Sequence, residues 1–375
     1  MAQYLMHKDI YVAEIELSKF HIIEVFNHNH LPIGVQGVAP ENMDDCFKKW
    51  FLNRSISADH PRYKMLLEKA KVYGVEDIPN CRFLSLTDCY WVKTSRMDER
   101  KWKHIVNSRM SWKNMNFRSS GLLGNLGKFL AGYDEAFRTF SVPEITTSGH
   151  LPKRWIRGQN GTFYLLKGET PFYHEILNEA FAYQYAELLG LDAVPYAIYE
   201  DGDKRFSICP SFLKVGEEEF VSMEQICISL GGNKEMALRV LFNGNYAMEI
   251  FKMRVFDYLI GNSGRSMNDV GIIRDANTLA VKRFAPLFDH GNSMVVNGEY
   301  YQQLTDYKED DELYSLRNAD LPFQFSVKPK ELVSRMKAAY GDAVPKEEIQ
   351  IMAEHAVKRL DNIKTAMNNR ERGGR

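Results

Sequence analysis

Apolar positions along the chain follow a period near two in some stretches and near 3.6 in others, which predicts a mixture of strands and helices. Residues 9–37 carry short runs of β-branched and alternating apolar side chains and are predicted to form strands. From about residue 222 onward the pattern is mainly helical. Helical spacing covers residues 41–53, 62–73, 174–189, 234–243, 246–260 and 347–368.

Two hairpins are predicted in the middle of the chain. Residues 154–157 and 162–167 flank Asn160-Gly161, a dipeptide suited to the positive φ angles of a tight two-residue turn. A second pair of strand patterns covers residues 193–199 and 205–209. Residues 112–150 are rich in Gly, Ser and Asn and are predicted to be a linker or a loop-rich boundary.

Composition narrows the class of protein. The 375 residues are 45% hydrophobic and 26% charged, which excludes disorder as the main state. The formal net charge of −1 disfavours nucleic-acid binding by bulk electrostatics. No stretch of about 18 apolar residues is present, and the N-terminus lacks a signal-peptide pattern, so neither a membrane span nor secretion is expected. The five cysteines form no CxxC pair and are expected to be reduced thiols of a cytoplasmic protein.

The polar residues that could carry chemistry occur in a particular order. A hairpin strand ends in Lys167, a helix carrying Glu179 follows, and later loops carry Asp269 and Asp289. Protein-kinase-like phosphotransferases have this order of parts, with a lysine for phosphates, a helix glutamate and late magnesium ligands. Lysine is a compact charge suited to phosphate, and carboxylates suit magnesium. Each residue also has a simpler interpretation: a strand-end lysine that reaches solvent, a glutamate on a solvated helix face, and aspartates that cap turns.

Several blocks of the sequence resemble the HipA-like kinases, a bacterial family of Ser/Thr kinases. The similar blocks are residues 84–93 (LSLTDCYWVK), 146–155 (TTSGHLPKRW), 164–167 (YLLK), 178–179 (NE), 189–191 (LGL), and 257–289, from DYLIGN to APLFD. The resemblance implies a two-lobed α+β protein-kinase-like fold with a mixed α/β N-terminal region. The expected parts are an N-terminal region at 1–140, a small lobe at 141–212 and a helical large lobe at 213–375.

The resemblance also implies the roles of individual residues. ATP is expected between the lobes, with Lys167 and Glu179 at its phosphates and Asp289 and Lys167 as catalytic residues. Magnesium is expected on Asp269 and Asp289. The linker residues expected near adenine are Cys209, Ser211 and Phe212.

One loop departs from the pattern of that family, GN[ST]DRHxxN, in which Asp is the catalytic base and the last Asn binds magnesium. Residues 261–269 read GNSGRSMND, so that Gly264, Ser266 and Asp269 replace Asp, His and Asn, while Arg265 is retained. Loss of a positioned base costs about 10²–10⁴-fold in rate. The sequence therefore predicts a HipA-like kinase homologue that binds ATP and magnesium but phosphorylates protein Ser/Thr weakly or not at all.

Two alternatives remain open at this stage. The first is an active Ser/Thr kinase with a non-standard catalytic loop. The second is a non-enzymatic module that binds a partner protein, linked to a toxin–antitoxin system. Direct contact with nucleic acid is not expected, because the sequence has neither a recognisable helix-turn-helix nor a basic excess.

Overall fold

A computed structural model describes most of the chain, with several gaps. The described residues are 2–54, 85–94, 101–103, 153–157, 162–168, 174–201, 204–294 and 327–373. The predicted helix at 62–73, the predicted linker at 112–150 and the turn at Asn160-Gly161 lie outside them.

The N-terminal region contains an antiparallel sheet in the order β3-β2-β1-β4. Its strands are β1 (Gln3–His7), β2 (Ile10–Glu16), β3 (His21–Val25) and β4 (Tyr90–Thr94). Helix α1 (Met43–Asn53) packs on this sheet through Phe47, Trp50 and Phe51, which are fully buried. The predicted strands within 9–37 and the helix at 41–53 are confirmed, whereas β1 was not predicted.

The second sheet is the one that carries Lys167. Its order is β5-β6-β8-β7, and every neighbouring pair is antiparallel. The strands are β5 (Lys153–Arg157), β6 (Phe163–Gly168), β7 (Ala197–Asp201) and β8 (Lys204–Pro210). Both predicted hairpins are therefore present, and helix α2 (Glu175–Leu188) lies between them in the chain, as predicted.

A third sheet interrupts the part of the chain predicted to be mainly helical. Strands β9 (Glu218–Ser222), β10 (Gly271–Asp275) and β11 (Val281–Phe284) pair in the order β11-β10-β9. Strands β10 and β11, which lie between the helices predicted at 246–260 and 347–368, were not predicted. The apolar run in β10 is only a few residues long, and periodicity does not distinguish a short buried strand from a piece of helix.

Apart from short 3-10 turns and one π-helical turn, the remaining described elements are α-helices that share one hydrophobic core. They are α3 (Met223–Ser229), α4 (Lys234–Leu241), α5 (Ala247–Ile260), α6 (Pro329–Tyr340) and α7 (Lys346–Gly373), of which α3 and α6 were not predicted. Helix α2 belongs to the same core, through Phe181 and Tyr185 against Phe256 and Tyr340. The helix that follows the Lys167 strand is thus packed against helices α5 and α6.

Candidate functional site

Lys167 lies at the centre of a buried ionic group. Its strand β6 is an inner strand of the sheet, and its side chain is 4% exposed. The Lys167 ammonium forms an ion pair with Glu179 of helix α2, and its Nζ lies 2.6 Å from Asp289 Oδ1. The other Glu179 oxygen accepts a hydrogen bond of 2.7 Å from Ser207 Oγ, on the neighbouring strand β8. The strand lysine, the helix carboxylate and the loop carboxylate expected from the sequence therefore meet at one point.

The charges in this group stabilise one another. Burial alone would lower the pKa of Lys167, but Asp289 and Glu179 raise it well above its usual value, so the ammonium stays protonated. Burial raises the pKa of Glu179, and Lys167 and Ser207 oppose that shift. A protonated lysine held by two carboxylates is a suitable site for the oxygens of a phosphate chain.

Asp289 occupies a turn whose backbone is in the left-handed region, with φ of 60°. Aspartate tolerates this conformation better than most residues. Its backbone N–H donates to the Tyr196 hydroxyl at 3.2 Å, and its side chain is 40% exposed. The carboxylate is thus fixed on the Lys167 side and open to solvent on the other, which is the arrangement that a metal-binding carboxylate requires.

The loop after helix α5 is held in place by an arginine. Arg265 forms two hydrogen bonds of 2.9 Å with the carboxylate of Asp257. A third, of 2.6 Å, runs from its guanidinium to the carbonyl oxygen of Phe288, immediately before Asp289. Arg265 therefore connects the loop at 261–270 to the segment that presents Asp289.

Asp269 lies near enough to Asp289 for their negative charges to interact. Its Oδ2 accepts hydrogen bonds from the backbone N–H of Ser266 at 3.0 Å and from the Ser266 hydroxyl at 2.6 Å. Burial raises the pKa of Asp269, and the negative charge of Asp289 raises it further. A neighbouring alternative, Asn268, is engaged elsewhere, since its carboxamide is hydrogen-bonded to Asn53.

The pair of carboxylates fits a divalent cation. Two negative groups that disfavour each other's ionisation are stabilised when a cation lies between them, and magnesium prefers oxygen ligands. No group of three or more His, Cys, Asp or Glu side chains forms a metal cluster in the described part of the chain. Asp269 and Asp289 would therefore provide two ligands, and phosphate and water oxygens the rest.

Gly264 provides no carboxylate at the position of the family's base. Its backbone N–H donates to Asn262 Oδ1 at 3.2 Å, and Asn262 in turn donates to Asp257. The loop keeps an ordered backbone at this position without the acidic group.

The linker residues expected near adenine lie at the edge of the site, but several of their groups are already engaged. The Cys209 side chain is buried beside Tyr196, and burial raises its pKa to about 12. The Ser211 N–H donates to the Phe163 carbonyl at 2.7 Å, and the Phe212 carbonyl accepts from Arg283 at 2.8 Å. These two backbone groups are therefore engaged within the chain, and the Phe212 ring instead packs against Phe220 and Phe288.

Three residues of the site were missed by sequence reasoning. Ser207 orients Glu179, and the Tyr196 hydroxyl orients Asp289. His290 is buried, and neither of its ring nitrogens has a hydrogen-bond partner among the described residues. Burial lowers its pKa well below the usual value, so this ring remains neutral. The sequence indicated only that Ser207 lies in a strand; the register that sets Ser207 directly opposite Lys167 is seen in the pairing of β8 with β6.

The fold and the site together define a protein-kinase-like α+β architecture, in which a strand lysine pairs with a helix glutamate beside late-loop carboxylates. Among solved structures, the chain is similar to HipA of Shewanella oneidensis MR-1, determined with HipB and its operator DNA. The TM-score is 0.57 over 97% of each chain, at 10% identity. It is also similar to the Helicobacter pylori proinflammatory kinase CtkA, with a TM-score of 0.45 and 16% identity, over 58% of this chain and 90% of that one.

The sequence itself matches no protein-family model, and no curated protein is detectably similar to it. The likeness to HipA is therefore one of fold. The resemblance to HipA-like kinases is confirmed at that level, as is the expected α+β kinase-like fold. In the described part of the chain, no helix is both long enough and apolar enough to span a membrane.

Proposed function

We propose that this chain is a HipA-like kinase homologue that binds ATP with magnesium and transfers phosphate to protein Ser or Thr weakly or not at all. The observation that carries the proposal is the buried Lys167, which is paired with both Glu179 and Asp289. In kinases a lysine in this position holds phosphate oxygens, and a helix glutamate orients it.

Each retained residue has a defined task in binding. Lys167 holds the phosphates, Glu179 and Ser207 fix the lysine, and Asp269 with Asp289 hold magnesium. Bound magnesium neutralises the charge of the phosphates. Gly264 has no group that accepts the proton of an incoming hydroxyl, so the chain keeps nucleotide binding while phosphate transfer is slow or lost.

Nucleotide binding is measured by thermal shift with ATP, with and without magnesium. A ligand at 100 times its dissociation constant stabilises a protein by about 2.7 kcal/mol. We expect stabilisation of that order with ATP and magnesium, and less without the metal. Transfer of labelled phosphate from ATP should stay close to background in the same preparation.

The variant that tests the site is Lys167→Met, with Lys234→Met as its control. Lys234 is an exposed lysine at the start of helix α4. Lys167→Met should abolish most of the ATP-dependent shift, measured from its own unliganded melting temperature, whereas Lys234→Met should retain it. An equal shift in both variants would show that Lys167 is not part of the nucleotide site. Rapid phosphate transfer by the unchanged chain would instead favour an active kinase that uses another base.

The HipA neighbour was solved with a protein partner and operator DNA, which favours a second function for this chain: binding of a partner protein in the cytoplasm. The near-neutral net charge makes a protein a more suitable direct partner than DNA. Co-purification with the products of neighbouring genes, with and without ATP, tests this second function. Recovery of no partner under either condition counts against it.

A further inference from the structure

Gly264 lies in contact with a residue from the segment that follows Asp289. A β-carbon built on Gly264 would lie 2.7 Å from Asn292 Cβ and 3.1 Å from Asn292 Nδ2. Non-bonded carbon atoms pack at about 3.5–4.0 Å, so no side chain fits at position 264 while Asn292 keeps its position. Gly264 lies outside the left-handed region, so this glycine is required by the close approach and not by its backbone angles.

The two segments are held together by their backbones. The Ser263 N–H donates to the Asn292 carbonyl at 3.3 Å, and the Met294 N–H donates to the Ile260 carbonyl at 3.0 Å. On the other side of the same segment, the Gly291 carbonyl accepts from Asn178 of helix α2 at 2.8 Å. Because Asn292 Cβ is attached to this fixed backbone, rotation of the Asn292 side chain cannot relieve the contact.

We propose that Asn292 closes the acceptor position of the phosphotransfer site, so that Gly264 and Asn292 form one coupled pair. The proposal rests on the function proposed above, which assigns the base position to residue 264. Asn292 lies against the place that the β-carbon of a residue at position 264 would occupy, and by this proposal it excludes both a carboxylate there and a protein Ser or Thr hydroxyl. Asn292 thus determines which acceptor can enter the site, and it leaves the nucleotide side open.

The chemistry of the asparagine side chain fits this role. A carboxamide donates and accepts hydrogen bonds, but unlike the carboxylate of an aspartate it cannot act as a general base that accepts the proton of a reacting hydroxyl. Asn292 therefore occupies the position of the base without performing proton transfer. Restoring Asp at position 264 alone should fail, because the new side chain meets Asn292 before it can act.

The test compares Gly264→Asp in three backgrounds. With Asn292 present, we expect Gly264→Asp to lower the melting temperature by about 4 °C or more, because overpacking costs stability. Combined with Asn292→Gly, Gly264→Asp should lie within about 2 °C of Asn292→Gly alone, because the opposing β-carbon is gone. Combined with Asn292→Ala, which removes the amide but keeps the β-carbon, Gly264→Asp should remain destabilised. Equal stability of Gly264→Asp and the unchanged chain overturns the coupling.

The second readout is transfer of labelled phosphate from ATP and magnesium to dephosphorylated casein. We expect Gly264→Asp with Asn292→Gly to exceed the unchanged chain by about tenfold or more, since a positioned base contributes at least that factor. A stable double variant that binds ATP without any gain in transfer overturns the closing role of Asn292. Failure of every variant to bind ATP counts against the proposed function alone, since the melting series needs no nucleotide.

Discussion

Asp269 is the residue at which stability and the proposed magnesium binding oppose each other. Its carboxylate is partly desolvated and faces the negative charge of Asp289, which together raise its pKa. HipA-like kinases are expected to have Asn at this position, which would bind magnesium without the second charge. On the proposed function, the aspartate costs stability without metal and strengthens the site when magnesium is present.

The change Asp269→Asn separates these two effects. Without magnesium, the free energy of unfolding should stay the same or rise by up to about 1 kcal/mol, because one of two like charges is removed. An asparagine oxygen still accepts from Ser266, so the loop keeps its shape. With magnesium and ATP, the added stabilisation should be smaller than in the unchanged chain, as measured by thermal shift over a series of magnesium concentrations.

Asp275→Asn is the matched control for this prediction. Asp275 is a partly exposed aspartate that accepts hydrogen bonds from Asn277 and Thr278 in a turn. Its substitution should leave the magnesium dependence unchanged. Equal magnesium dependence in both variants would show that Asp269 does not bind the metal.

At the scale of elements, helix α1 and the loop that carries Asp269 are joined by a pair of amides. Asn53 donates to Asn268 Oδ1 at 2.9 Å, and Asn268 donates back to Asn53 Oδ1 at 3.3 Å. Asn268 is adjacent to Asp269 in the short turn Met267–Asp269. The end of helix α1 therefore helps to position the turn that carries a candidate magnesium ligand.

Asn53→Ala should release that turn. We expect faster amide hydrogen exchange in residues 263–270 and a loss of about 1–2 kcal/mol in the free energy of unfolding, since Asn268 loses its partner. Asn53→Asp is the conservative control because it keeps the acceptor oxygen. Its stability and its rate of amide exchange should lie between those of the unchanged chain and of Asn53→Ala. Unchanged exchange in 263–270 after Asn53→Ala would mean that α1 does not restrain the loop.

At the scale of the whole molecule, a buried ionic network joins the N-terminal sheet to the third sheet. Glu219 of β9 lies 2.9 Å from His7 Nε2 and 2.8 Å from Arg274 Nε, and it accepts a hydrogen bond of 2.8 Å from the Cys89 N–H. The Arg274 guanidinium in turn donates a hydrogen bond of 3.0 Å to the Tyr90 hydroxyl. Strand β10, which carries Arg274, begins just after Asp269, so the network anchors the strand next to the candidate site.

This network should make stability depend on acid pH. Burial alone would raise the pKa of Glu219, but His7 and Arg274 lower it from 4.5 to about 2. Well above pH 4.5 the carboxylate is ionised in both the folded and the unfolded chain. Between pH 4.5 and about 2 the unfolded chain binds the proton first, so the stabilisation falls as the pH falls through this range.

Glu219→Gln tests this dependence by urea unfolding at several pH values between 3 and 7. At pH 7 we expect a loss of roughly 3 kcal/mol, because Arg274 keeps a buried charge without its carboxylate. The difference between the two proteins should shrink as the pH falls below 4.5. A difference that is constant over this range would show that Glu219 does not titrate as part of the network.

Much of the fold and part of the site could be predicted from local pattern. Helical spacing predicted α1, α2 and α5 within a few residues of their bounds, because apolar periodicity directly reflects which face of a helix is buried. Strand β10 was missed because its apolar run is short and is buried through pairing with β9, which lies far away in sequence. Helix α6 was missed as well, although its buried face contacts α2.

The amino-acid sequence by itself determined the order of lysine, helix glutamate and loop aspartates, because these groups lie in recognisable local elements. The absence of a carboxylate at Gly264 could also be seen in the sequence, because comparing the loop with the HipA-like pattern is enough to detect it. Only the tertiary structure decided that Asn292 lies against Gly264 and that Asn53 holds Asn268. Such contacts depend on how separate segments pack, and neither spacing nor composition carries information about them.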